Sequence, residues 1–295
     1  MNIPAIEAER LDEAVSREAA SFFSETGALL LRLDDVTLET FEAFSRSLCG
    51  EFHEVGTRAK LRRADGDGYT TEVFRTNFIL LSHSEGMYRP YPPPPDLCFF
   101  LCRTPPSAEG GETVVVDGIE LLQALPTGLA ERLEKEGVIY SGVWARERWQ
   151  AEFGVEAQGE VEELLRGTGD FSFSWVGVEA DLEWRYRARA INSDPNCGLT
   201  FANAILAHLP AIDHPRYRGL PVYVNARNGV CYGNGEPLGR QDINVLIDAH
   251  DAVAHPHRWQ ENDILVLDNR RFMHGRLMTR TPCERVLVSR FGRAR

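Results

Sequence analysis

From Phe74 onward the chain is a succession of short apolar runs, each cut off within a few residues by proline or glycine. Runs of about four to eight apolar residues bounded by turn formers are strands, so this pattern limits what the chain can fold into more than any other feature. The clearest runs are residues 99–102, 113–116, 221–225, 263–267 and 286–289. None approaches the roughly 20 apolar residues of a membrane helix. Two helical patterns stand ahead of them. Over residues 7–23 the neighbours Ile6, Leu11, Ala14, Val15, Ala19, Phe22 and Phe23 predict one face of a helix. Residues 37–49 predict a second, with Thr37 as N-cap and Glu39 where a carboxylate suits the dipole. Between them, residues 27–33 read as a buried strand. Further helical patterns lie near 119–125, 128–136, 161–165, 202–208 and 241–254. Early helices followed by many short strands predict an α+β chain built on a β-sandwich or jelly roll with flanking helices. With no repeat or low-complexity linker, residues 1–295 are expected to form one domain.

Charge narrows the partners. Thirty-two Lys and Arg against 44 Asp and Glu leave a net charge of −12, which repels phosphate backbones and excludes nucleic acid. Glu7, Glu9, Asp12 and Glu13 replace the basic start of a signal peptide, and a cytoplasmic protein with no membrane partner is expected. Of six scattered cysteines, only Cys98 and Cys102 are close, and on a strand they share a face. Reduced, buried thiols are expected, without a zinc site.

Among eight histidines, His83 is followed at i+2 by Glu85, which on a strand sends both side chains to one face. One imidazole and one carboxylate on a face are two thirds of the facial triad that holds Fe(II) with three adjacent positions open. Near the C-terminal end come a turn at Trp259, an apolar strand, an Asp-Asn turn, His274-Gly-Arg and, eleven residues after His274, Arg285 at the start of another strand. A guanidinium binds both oxygens of a carboxylate in a dry pocket.

With these residues in this order, the chain resembles the TauD/TfdA family of Fe(II)- and 2-oxoglutarate-dependent dioxygenases. Its HxE is similar to that of clavaminate synthase and the amino-acid hydroxylases. Residues 105–118, with Gly110-Gly-Glu-Thr113, resemble the family's strand entry. The resemblance implies a double-stranded β-helix (jelly roll), His83, Glu85 and His274 as iron ligands, Thr113 and Arg285 as partners of 2-oxoglutarate, and O2 as oxidant. It implies hydroxylation of an unactivated C–H bond in a small amino acid, free or tethered to a carrier protein, as in specialised metabolism. Desaturation and ring formation remain open, as does a homo-oligomer. Arg75, Arg89, Arg276, Arg290 and Asn203 are candidates to bind the substrate, although Arg290, five residues beyond Arg285, falls on the opposite strand face unless a bulge intervenes. Residues 119–197 match nothing in the family pattern and read as an insert.

Two readings compete: a non-catalytic jelly-roll sensor of 2-oxoglutarate, and a cosubstrate-free, cupin-like dioxygenase. The complete triad with its arginine speaks against the first, and Thr113 with Arg285 against the second. His255-Pro-His257 is expected in an exposed loop, Gly233-Asn-Gly235 in a tight turn, and Trp144, Trp149, Trp175 and Trp184 mainly in core.

Overall fold

The structure, a computed structural model, describes residues 3–52, 66–73, 77–195, 197–280 and 284–294. Two facing sheets form its frame. The larger has the order β1 (Ala5–Arg10), β2 (Ala28–Asp35), β15 (Ile264–Asp268), β6 (Leu97–Thr104), β17 (Val286–Ala294), β3 (Cys49–Phe52), with β4 (Thr71–Glu72) also paired to β17. The smaller runs β14 (His255–His257), β7 (Thr113–Asp117), β16 (Phe272–Arg276), β5 (Leu80–His83). Strand β6 shows why the sequence reads as unbroken apolar runs: both of its faces are covered. Cys98, Phe100 and Cys102 point between the sheets toward Val115 and Phe272. Leu97, Phe99 and Leu101 point the other way, under α1 (Glu13–Thr26) and α2 (Leu38–Leu48). The chain is α+β with a jelly-roll core, as the pattern predicts.

A further layer covers the outer face of the smaller sheet. Its strands are β13 (Asn228–Tyr232), β8 (Val138–Trp144), β10 (Asp181–Ala188) and β9 (Phe171–Val176), joined by α3 (Gly118–Ala124), α4 (Thr127–Glu136), α5 (Arg146–Phe153), α6 (Gln158–Leu165) and α7 (Arg240–Val253). Leu81, Val114, Val116 and Met273 share a core there with Leu121, Trp144, Trp184 and Leu246. β11 (Asn192–Asp194) and β12 (Gly198–Thr200) close a small hairpin. Most of this layer comes from residues 119–197. Trp144, Trp149 and Trp184 are buried, and Trp175 is half-buried.

Several local expectations need correction. The helix predicted over 7–23 is split, because β1 pairs in parallel with β2 and the Asp12 carboxylate accepts the Val15 N–H, so that α1 starts only at Glu13. Residues 221–225 form no strand; Pro221 lacks an N–H, and only a bridge from Val222 to Ile79 is made. The helix near 202–208 is a single 3-10 turn, Leu206–His208, stopped before Leu209-Pro210, where proline disfavours helical backbone. His255-Pro-His257 is no exposed loop. It pairs with β7, and His257 is buried 3.1 Å from Asp263. Cys49, Cys98 and Cys102 are buried, whereas Cys197 and Cys231 are half-buried; Cys283 lies outside the described residues. Among the described residues, no helix is long and apolar enough to cross a membrane.

Candidate metal centre

His274 sits in the middle of β16, directly across from His83 at the end of β5, with ring centroids 4.8 Å apart. Gly275 makes the approach possible: a Cβ there would lie 2.5 Å from the Leu80 carbonyl oxygen. The strand register shifts at this point, a bulge that aims both imidazoles at one spot. Strand parity does not deliver Glu85, because β5 stops at His83 and Glu85 opens a turn. Its carboxylate nevertheless reaches both rings, with Oε2 3.7 Å from His83 Nε2 and 3.8 Å from His274 Nε2.

Asn269, which sequence reasoning passed over as part of an Asp-Asn turn, holds this turn in place. Its Oδ1 accepts the Glu85 N–H at 2.7 Å, and its Nδ2 donates to the Glu85 carbonyl at 3.0 Å and the Pro95 carbonyl at 2.9 Å. Asn269→Ala leaves these buried main-chain groups unpaired and frees the Glu85 backbone. Iron affinity is expected to fall by about tenfold, the lower end of the effect of groups that orient metal ligands. Anaerobic Fe(II) titration measures it, and parental affinity would remove Asn269 from this role.

The three ligand atoms lie within 4.8 Å of one another. The two carboxylate–imidazole distances are below twice a metal–ligand bond of roughly 2.1 Å, and two imidazoles with one carboxylate are the donor set of a non-haem Fe(II) site. His83 Nδ1 lies 3.2 Å from the Leu81 carbonyl, which can only accept, so Nδ1 carries a proton and Nε2 is the nitrogen that faces Glu85. Burial, with the charge of His83, pushes His274 down to about 3 against the pull of Glu85, so its imidazole stays neutral. Burial alone would raise the Glu85 carboxyl; the neighbouring His83, with the charges of His274 and Arg89, brings it below its ordinary value. The residues thus fit a divalent iron.

Thr113 and Arg285 are both buried. Thr113 is buried on the β7 face that carries Val115 inward. Arg285, also buried, lies two residues before the inward-facing Leu287. Gly111, two residues before Thr113 and at φ +79°, lies against the Arg285 stem, 3.6 Å from Cδ to a Cβ built on it. Trp259 was noted in the sequence only as the start of a turn. Its indole N–H donates to Thr113 Oγ1 at 3.0 Å. An indole is only a donor, so the hydroxyl accepts from it and keeps its own proton to give to an anion. Trp259→Phe is expected to weaken 2-oxoglutarate binding roughly fivefold, the worth of about 1 kcal/mol, with iron binding unchanged. Calorimetric titration checks this, and an equal loss in a Thr113→Val background would exclude a route through the hydroxyl.

The substrate candidates scatter. Arg290 is corrected: it points to the outer face of β17, fully buried over the Phe52 ring, 2.7 Å from Asp67 and 3.2 Å from Glu42. Strand alternation runs unbroken there, with Arg290 opposite Phe99 and Phe291 opposite Cys98. Asn203 is buried too, but its amide is taken up by main chain, donating to the Ala190 carbonyl and accepting the Ile205 N–H. Arg276 donates to the Phe78 carbonyl at 3.2 Å and lines a cavity of about 1020 Å³ whose walls include none of His83, Glu85 and His274. Arg89 is buried in an ion pair with Glu152 of α5. Arg75 lies outside the described residues.

Residues 3–290 match the model of the taurine catabolism dioxygenase TauD, TfdA family. A clavaminate synthase-like protein of Arabidopsis thaliana is 24% identical over 304 residues, covering 91% of this chain and 82% of its own. Among solved structures, PvcB of Pseudomonas aeruginosa superposes with a TM-score of 0.57 at 14% identity, covering 97% of this chain and 84% of that one. An alpha-ketoglutarate-dependent 2,4-D dioxygenase of Burkholderia xenovorans does so with 0.55 at 18% identity, covering 99% and 94%. With the family model matched over nearly its whole length and the fold shared with these structures, the chain belongs to the TauD/TfdA family of Fe(II)- and 2-oxoglutarate-dependent dioxygenases.

Proposed function

We propose that His83, Glu85 and His274 hold the iron, that Thr113 and Arg285 hold the distal carboxylate of 2-oxoglutarate, and that the enzyme hydroxylates an unactivated C–H bond of a small amino acid or amino-acid-derived molecule. The observation that carries this reading is the convergence of two imidazoles and one carboxylate from β16, β5 and the turn after β5. The iron with 2-oxoglutarate supplies the oxidant when both are bound. The protein's part is position. His83 keeps its proton on Nδ1, Asn269 fixes the Glu85 backbone, and Trp259 turns the Thr113 hydroxyl into a donor. Phe100, 5.0 Å from the His274 ring, and Phe291 beside it keep the interior apolar, which strengthens the ion pair that Arg285 makes with a carboxylate. Glu85 fills the place that halogenating relatives leave to chloride, so hydroxylation is favoured over halogenation.

The test is succinate release from anaerobically reconstituted Fe(II) protein given O2, 2-oxoglutarate and a panel of amino acids, free and tethered to a carrier protein. Succinate that depends on one amino acid, with a product heavier by one oxygen atom, supports the reading. A product lighter by two hydrogen atoms would indicate desaturation or ring closure. No amino-acid-dependent succinate from protein that binds iron and 2-oxoglutarate would overturn the substrate class.

A further inference from the structure

The layer outside the smaller sheet contains a group of polar atoms with nothing to bind. Trp144 Nε1, Trp184 Nε1, Arg89 Nε, Arg148 Nε, Glu152 Oε2 and His208 Nε2 are shut off from water, and none has a hydrogen-bond partner among the described residues. Protein interiors leave only a few such atoms per hundred residues, because each costs about 1–3 kcal/mol. These six belong together. Tyr88 stacks on His208 at 4.8 Å and lies 6.3 Å from Trp184. Trp184 is 5.2 Å from Trp144, and Arg148 covers Trp144 at 5.1 Å. Arg89 lies 5.5 Å over Tyr88 and is paired with Glu152.

The group adjoins the metal centre. Tyr88 and Arg89 follow Glu85 by three and four residues, and the turn between them is the one Asn269 clamps. The segment leading to His208 is tied to the same place five residues earlier, where the Asn203 carbonyl accepts the N–H of Ser84, between His83 and Glu85, at 2.8 Å.

Its chemistry is selective. Four of the six atoms are N–H donors, Glu152 Oε2 is an acceptor, and His208 Nε2 accepts when the ring proton sits on Nδ1. The charges of Arg89 and Glu152 cancel, while Arg148 makes no ion pair with a described carboxylate, so one positive charge is in excess. Burial, then the charges of Arg148 and His83, push the His208 imidazole down to about 3, which leaves it neutral and able to accept. The complement of such a group is a compact molecule with a carboxylate and, a few bonds away, a donor, the two held among aromatic faces.

We propose that this group is the substrate-binding chamber: Arg148 and the indole N–H groups of Trp144 and Trp184 take a substrate carboxylate, and His208 and Glu152 take a donor such as the ammonium of an amino acid. The proposal rests on the iron reading above and adds where, and by which end, the substrate is held. It also gives residues 119–197 their use, since Trp144, Arg148, Glu152 and Trp184 all belong to that segment.

The experiment uses the full-length protein loaded anaerobically with Fe(II) and 2-oxoglutarate, whose visible absorption band reports the loaded centre. Each of the common L-amino acids is titrated while the band and the tryptophan fluorescence are followed. Every binder is compared with the amine that lacks its carboxylate. At least one amino acid is expected to shift both signals, its amine binding about tenfold more weakly or worse. Arg148→Gln is expected to weaken the amino acid about tenfold, and Trp184→Phe severalfold, while the 2-oxoglutarate band stays parental in both. Trp144→Phe replaces Trp184→Phe if the latter unfolds. Absence of any binder in protein with an intact band overturns the chamber, as does parental affinity in both variants or equal binding of the amine. A parent protein that forms no band overturns the iron reading, and the chamber with it.

Discussion

Replacement of His274 by alanine is expected to abolish both iron binding and turnover. The residue supplies one of three donor atoms gathered within 4.8 Å, and among the described residues no histidine besides His83 and His274 joins that group. Loss of a third of the donors of an open site leaves too few bonds to hold a labile divalent ion against water. Anaerobic Fe(II) titration followed by metal analysis measures it directly, and parental iron affinity in His274→Ala would falsify the triad. Glu85→Ala is expected to leave little or no hydroxylation. It removes the one charge of the site and opens a ligand position that chloride can enter. Near-parental activity would point to another carboxylate, for which Asp96 and Glu112 are the sequence candidates. The structure engages both elsewhere, Asp96 with the Ala294 N–H at 3.0 Å and Glu112 with Arg258 at 3.8 Å.

The second large effect is expected at Arg285. On the reading proposed above, its guanidinium would meet the distal carboxylate of bound 2-oxoglutarate in a buried, two-pronged pair, and removal of one partner from such a pair costs roughly 3 to 5 kcal/mol. At about 1.4 kcal/mol per tenfold, Arg285→Gln lowers 2-oxoglutarate affinity on the order of a hundredfold or more, with iron affinity nearly unchanged. Arg285→Lys recovers only part of this, because an ammonium cannot make two parallel hydrogen bonds. Titration of 2-oxoglutarate into the anaerobic Fe(II) protein gives both numbers. Arg290→Gln is the contrasting control. It removes the partner of Asp67 and Glu42 and is expected to lower the urea midpoint while leaving 2-oxoglutarate affinity alone. Unchanged affinity in Arg285→Gln, beside a large loss in Arg290→Gln or Arg276→Gln, would move the clamp to that neighbour.

What could be read without the structure was whatever depends on near neighbours in the chain. The apolar run at residues 99–102 announced the strand β6, Thr37 announced the start of α2, and the alternation of β17 already raised the objection to Arg290. The order His83, Glu85, Thr113, His274, Arg285 pointed to the family because these chemical types seldom recur at such spacings. The split of residues 7–23 was harder to see. A helical spacing of apolar residues says nothing of a β2 edge waiting to pair with the first of them.

The tertiary structure decided every relation between distant parts of the chain. Glu85 reaches the two imidazoles through a turn clamped by Asn269, 184 residues away, and not through the strand parity that first drew attention to it. Trp259 acts on Thr113 from 146 residues away, and Arg89 finds Glu152 at a separation of 63. No periodicity encodes such pairs, because a side chain's partner is set by which elements the fold lays against each other. By itself the sequence determined the kinds of groups present and the faces on which strands and helices carry them. Packing of the sheets and of the layer from residues 119–197 decided which polar atoms were matched and which were left facing one another without partners, since burial makes an unmatched group costly only once water has been excluded around it.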